Sequence, residues 1–210
     1  MEQGTVEWHA VRLGKVTASK VADVVAKTKS GYAATRANYA AQLITERLTG
    51  VPTEGFSSEA MRWGTEKEPE ARRAYAFRTD NDVEQIAFVD HPRISMSGAS
   101  PDGLIGSLGL LEIKCPNTNT HFETLESGKP PAKYVTQMMW QMACTGREWC
   151  DFVSYDPRLP EELRIFIHRV EIDAEEIERL ETEVVGFLSE IDARLSHLST
   201  RYGAQLKVAA

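Results

Sequence analysis

Short strand-like segments interrupt a chain that is otherwise helical in pattern, and this order of element types most limits the folds open to it. Residues 17–26, 35–49 and 59–78 carry helical periodicity. Gly50 and Pro52 stop the second of these helices, and Pro69 inside the third predicts a kink or a restart. Strand-like runs follow at 83–89, 94–97, 102–105 and 110–114; then come a helix over 132–145 and strands near 149–155 and 163–170. Helix, strands, helix, strands, helix predicts a sheet with helices packed on it, α/β or α+β. A length of 210 residues suits one globular domain spanning 1–210.

The end of the chain is the clearest single element. From Asp173 onward, Ile177, Leu180, Val184, Leu188, Ile191, Leu195 and Leu198 recur at three- and four-residue steps, an amphipathic helix that Asp173 can cap, with Glu176 at the capping-box position. Most of the acidic charge belongs to the solvated face of this helix. Residues 161 to 199 carry four Lys/Arg against eleven Asp/Glu, whereas residues 1 to 50 carry seven against four. The formal net charge of −7 therefore hides a basic N-terminal end, and an acidic total does not exclude a polyanionic partner.

Other signals bound the class. No run of about 20 apolar residues is available to cross a bilayer, and the N-terminus lacks a signal-peptide layout, so a cytoplasmic protein is expected. Cys115, Cys144 and Cys150 are odd in number and widely spaced, as expected of reduced thiols packed in a core.

The chemistry concentrates in "SPDGLIGSLGLLEIKC", residues 100 to 115. Asp102 and Glu112 are equidistant from Ser107 inside Gly106-Ser-Leu-Gly109, so a hairpin there sets the two acids opposite each other on one sheet face. Lys114 joins that face about 7 Å further along. Two close carboxylates repel unless one is protonated or a cation sits between them. Hard oxygen donors favour Mg²⁺, or Mn²⁺ in its place, and the backbone carbonyl of Ile113 could be a further ligand. An unpaired lysine beside them would orient a hydroxide or stabilise charge on a transferring phosphoryl group. The alternative is an ordinary Pro-Asp-Gly turn beside a solvated strand face.

The pattern Pro101-Asp102, nine residues, Glu112-Ile113-Lys114 resembles the core motif of the PD-(D/E)xK nuclease superfamily. "VRLGKVTASKV" (11–21), "WGTEKEPEAR" (63–72), "SGASPDGLI" (97–105), "LEIKCP" (111–116), "YVTQMMWQM" (134–142) and "YDPR" (155–158) stand in the order seen in the lambda exonuclease, or YqaJ-like viral recombinase, family. The resemblance implies a restriction-endonuclease-like α/β core, a central mixed β-sheet flanked by α-helices. It implies metal ligation by Asp102 and Glu112, beside the Ile113 carbonyl already named, and catalytic roles for Lys114, Glu68 and Gln137, with Gln141 on the same helix face. It also implies that Arg12, Ser19 and Ser100 bind the 5′-phosphate of a DNA end. Each has a plainer reading: an exposed helix acid for Glu68, the polar side of a helix for Gln137, and a helix cap over 17–19. Asn119, Thr120 and His121 stand where the phage enzyme carries an arginine.

The expected activity is Mg²⁺-dependent 5′→3′ digestion of linear double-stranded DNA to 5′-mononucleotides, leaving a 3′ overhang. The implied partners are double-stranded DNA ends, a single-strand annealing protein and two further copies in a homotrimer ring. The loop "KTKSG" brings Lys27 and Lys29 to the surface as candidate DNA contacts, or merely as a soluble face. A PD-(D/E)xK endonuclease and a non-catalytic DNA-binding module are the alternatives.

Overall fold

The computed structural model describes residues 3–53 and 59–208. Among the described residues the α-helices are α1 (Val6–Arg12), α2 (Ala18–Val25), α3 (Ala34–Thr49), α4 (Glu59–Thr79), α5 (Thr118–Ser127), α6 (Ala132–Thr145) and α7 (Ala174–Tyr202). The strands are β1 (Val16–Thr17), β2 (Lys27–Thr28), β3 (Gly31–Tyr32), β4 (Val83–Glu84), β5 (Val89–Asp90), β6 (Ser97–Ala99), β7 (Gly103–Ile105), β8 (Gly109–Lys114), β9 (Trp149–Tyr155) and β10 (Ile165–Glu171).

A five-stranded sheet in the order β10-β9-β8-β7-β4 forms the centre, and a three-stranded sheet β1-β6-β5 lies apart from it in pairing. Strand β8 pairs parallel with β9 and antiparallel with β7, so the main sheet is mixed, as expected. A parallel pair needs a crossover, and α5 and α6 supply it between β8 and β9. Alternation along the strands divides the interior. Leu110, Cys150 and Phe152 face a core shared with α2, α3, α6 and α7. Leu111, Ile113, Val153 and Tyr155 face the other way, onto Ala71 and Tyr75 of α4.

Several boundaries differ from the sequence expectation for identifiable reasons. The run 83–89 is not one strand: β4 joins the main sheet and β5 the smaller one. The strand expected over 94–97 begins at Ser97, after Met96 takes a left-handed φ of 59°. Pro69 lies within an uninterrupted α4. Helices α1 and α5 had no expectation; they begin at Thr5 and Asn117, whose side chains accept the N–H of Trp8 and of Thr120. Asp173 does cap α7 through the N–H of Glu176 at 3.1 Å, but the Glu176 carboxylate turns to Arg179 rather than closing a capping box. Thr17 is the N-cap residue of α2 yet makes no side-chain cap bond. "KTKSG" is no loose loop: it forms the β2–β3 hairpin. The three cysteines are free and buried.

Candidate active site

The β7–β8 hairpin pairs Gly103 with Leu111, and the same register carried one residue outward sets Asp102 across from Glu112. Gly103 is required at this point, because a Cβ there would run into Val83 of β4. Asp102 Oδ2 accepts the backbone N–H of Ile113 at 2.6 Å, which holds its carboxylate at the end of the hairpin. The acids meet near the C-terminal end of β8, a central strand, rather than at the edge of the sheet.

Glu112 shares the parity of Leu110 and therefore faces α6. It is fully buried. Gln137 Nε2 donates to its Oε1 at 2.7 Å, Gln141 Nε2 to its Oε2 at 2.6 Å, and the Lys114 ammonium pairs with Oε1. Lys114 is thus not the unpaired lysine expected from the sequence. Burial disfavours its charge, but Glu112 and Asp102 outweigh that and raise its pKa above the ordinary lysine value. Asp102 shows the complementary effect: burial first, then the charge of Glu112, raises its carboxyl well above the usual carboxylate range, with Glu68 adding to the shift.

A cleft of about 470 Å³ opens over this cluster, lined among others by Glu68, Asp102, Ile113, Lys114, Thr120, Lys133 and Tyr134. Glu68 reaches it from α4 and is ion-paired with Arg72. Gln137 is not part of that lining; its contact is with Glu112. Cys115 also lines the cleft, but burial pushes its thiol up to about 12, so it is no nucleophile at neutral pH.

The donor set fits a hard divalent cation. An ionised carboxylate offers about four lone-pair positions. Glu112 uses three of them and Asp102 one, so both keep capacity for a ligand bond. Among the described residues no group of three or more His, Cys, Asp or Glu side chains forms a ready-made cage. A cation that keeps several waters, as Mg²⁺ does, suits such a site better than zinc.

The second candidate cluster lies on α1. Gly14, at φ +69°, turns the chain after this helix; Glu46 Oε2 accepts its N–H at 2.9 Å, and its carbonyl accepts Arg47 Nε at 2.9 Å. Arg12 Nη1 and Trp8 Nε1 both donate to Ser100 Oγ at 3.0 Å, and the Arg12 guanidinium lies 3.9 Å from the Trp8 ring centroid. Ser100 Oγ accepts both bonds and keeps its own hydrogen to give. Burial lowers the Arg12 pKa to about 10, which still leaves it cationic at neutral pH. Ser19, at the start of α2, is exposed, with its hydroxyl 3.4 Å from that of Thr17.

Lys27 and Lys29 sit on the exposed β2–β3 hairpin, where Lys27 pairs with Glu183 of α7 at 2.8 Å. His121 is buried, its Nε2 donating to the Leu163 carbonyl at 2.8 Å and its Nδ1 2.7 Å from Ser154 Oγ, so it bolts α5 to β9. Sequence reasoning missed Trp8, Arg72, Lys133 and Tyr134, since an aromatic or basic residue on a helix carries no signal of what it will face.

A model of the YqaJ-like viral recombinase domain matches residues 7–148. The chain belongs to this family. Solved structures extend the likeness over nearly the whole YqaJ-like chain. An alkaline exonuclease from Laribacter hongkongensis is 53% identical, with a TM-score of 0.89 over 95% of this chain and 98% of that one. The structure of that exonuclease in complex with dAMP gives 0.90 at the same identity and coverage. A phage-related exonuclease from Haemophilus somnus 129PT, 17% identical, shares the fold at a TM-score of 0.73, covering 91% of this chain and 99% of that one. None of the curated proteins compared matches significantly. The mixed α/β architecture expected from the motifs is thus the one these exonucleases have.

Proposed function

We propose that this YqaJ-like protein is a Mg²⁺-dependent exonuclease that digests linear double-stranded DNA in the 5′→3′ direction, releasing 5′-mononucleotides and leaving a 3′ single-stranded overhang. The observation that carries the reading is the convergence of Asp102 and Lys114 in a cleft that Glu68 enters from α4, with the buried Glu112 paired to Lys114 beneath its lining. The 53% identical relative is an alkaline exonuclease, which supports exonuclease rather than endonuclease chemistry.

A divalent cation held by Asp102, Glu112 and the Ile113 carbonyl would supply Lewis acidity for attack of water on phosphorus, with Mn²⁺ able to replace Mg²⁺. Lys114, paired with Glu112 and lining the cleft, orients the attacking water or stabilises negative charge developing on the phosphoryl oxygens. Gln137 and Gln141 fix the Glu112 carboxylate, and Glu68 adds a further acidic oxygen to the cleft. Arg12 and Ser100, with Ser19 from α2, take the terminal 5′-phosphate, which sets the direction of digestion. Lys27 and Lys29 contact the duplex backbone outside the cleft. Three copies close into a ring around DNA, and the overhang passes to a single-strand annealing protein in the cytoplasm of a bacterial or phage-infected cell. Among the described residues no helix is long and apolar enough to cross a membrane.

The test compares a linear duplex bearing a 5′-phosphate with a closed circle of the same sequence, in Mg²⁺ and in EDTA, for the parent protein and Asp102→Asn. Mononucleotide release from the linear molecule alone, lost in EDTA and in the variant, is the expected result. Nicking of the circle would assign endonuclease chemistry, and inert DNA in every tube would leave a DNA-binding module.

A further inference from the structure

The cleft contains one cation that the proposed mechanism leaves unused. Lys133 stands in the first turn of α6, exposed, lining the same cleft as Asp102, Lys114 and Thr120. Its ammonium is 4.7 Å from the ring centroid of Tyr134, and the Lys114 ammonium is 5.1 Å from the same centroid. Tyr134 is itself packed, stacked on Phe152 at 5.6 Å with 24° between the planes. One fixed phenol ring therefore has both ammoniums beside it.

The two lysines differ in their counterions. Lys15, Lys20, Lys27, Lys67 and Lys114 each sit against a carboxylate, whereas among the described residues none pairs with Lys133. An exposed ammonium without a counterion, at the mouth of a cleft that holds Asp102 and Glu68, has a charge available to an incoming anion. A DNA strand entering that cleft meets those two carboxylates, and each phosphate it brings in worsens the repulsion unless a cation faces it.

We propose that Lys133 is a substrate-binding residue that contacts a backbone phosphate of the DNA strand lying in the catalytic cleft, next to the phosphate facing Lys114. This rests on the nuclease reading above. Lysine suits the role because a compact ammonium makes a point-charge contact that is indifferent to base sequence. Packing on Tyr134 restricts the side chain before DNA arrives, so less rotamer freedom is lost on binding.

The experiment measures binding of a 5′-phosphorylated linear duplex by fluorescence anisotropy in EDTA, over about 50 to 200 mM salt, for the parent, Lys133→Gln, Lys133→Arg and Lys207→Gln. Lys207 is the control: it lies against Gly50 and does not line the cleft. Loss of one phosphate contact lowers the slope of log affinity against log salt by about 0.7 to 0.9, so the affinity gap between parent and Lys133→Gln narrows about threefold across that range. Lys133→Arg should keep the parent slope, and in Mg²⁺ the KM of Lys133→Gln should rise by a larger factor than kcat falls. An unchanged slope in Lys133→Gln, an equal change in Lys207→Gln, or a fall in kcat with KM untouched would overturn the assignment. Parent protein that digests no DNA would remove the nuclease reading itself, a different failure from an active parent with an indifferent Lys133.

Discussion

Gln137 and Gln141 hold the same carboxylate at nearly the same distance, 2.7 and 2.6 Å, yet removing them should cost different amounts. Glu112 is fully buried, and a hydrogen bond to a charged group contributes about 1.5–3 kcal/mol. Gln137→Leu forfeits that amount with nothing returned. Gln141→Leu forfeits a similar bond, but Gln141 also carries a buried Oε1 without a partner, whose desolvation costs about 1–3 kcal/mol in the parent and vanishes with the leucine. The two contributions largely cancel. Gln137→Leu should therefore destabilise by about 1.5–3 kcal/mol and Gln141→Leu by less than about 1.5 kcal/mol. Urea unfolding with matched m-values gives both numbers. Both variants should also lose roughly 10- to 100-fold in nuclease turnover, as groups that orient a metal-binding carboxylate usually do. A Gln141→Leu protein destabilised as much as Gln137→Leu would refute the assignment of the orphaned oxygen, and with it the geometry given to this pair.

Three further outcomes test other parts of the structure. His91 accepts the N–H groups of Arg93 and Ile94 on Nδ1, and burial lowers its pKa below the ordinary 6.5, with Glu181 opposing and Arg93 adding to the shift. The unfolded chain then binds more protons than the folded one, so this contribution to stability is complete above about pH 6.5 and declines as pH falls below it; His91→Gln should flatten the decline in unfolding free energy, and parallel profiles would contradict it. Gly98→Ala would press a Cβ against the Phe88 ring and to 2.5 Å from the Val89 carbonyl, so a loss of about 1–3 kcal/mol and a lower Tm are expected by calorimetry. Trp8→Phe keeps a ring under Arg12 but removes the indole donor to Ser100, and should reduce the preference for 5′-phosphorylated over 5′-hydroxyl ends; an unchanged ratio would dissociate Trp8 from that pocket.

Much of the fold was legible because its signals are local. The turn between Gly106 and Gly109 sets the register that brings Asp102 opposite Glu112, and the three- and four-residue steps of α7 mark a face that is in fact buried from Ile177 to Leu195. Phe187 joins that face without having been expected there. The family, too, could be read from ordered motifs, since residue type and spacing are all that such a pattern requires.

What the sequence could not state is who meets whom across the chain. A lysine two residues from a glutamate reads the same whether its charge is free or paired, and only the burial of Glu112 beneath α6 made Lys114 its partner. The splitting of 83–89 between two sheets depends on strands contributed from elsewhere in the chain. Spacing placed Gln137 and Gln141 on one helix face, but not against an acid 25 and 29 residues earlier. Sequence by itself determined the periodicities, the hairpin and the acidic pair, because these follow from neighbours within a few residues. Tertiary structure decided counterions, exposure and pKa, because electrostatic energy depends on distance and on exclusion of water, and both are set by segments far apart in the chain.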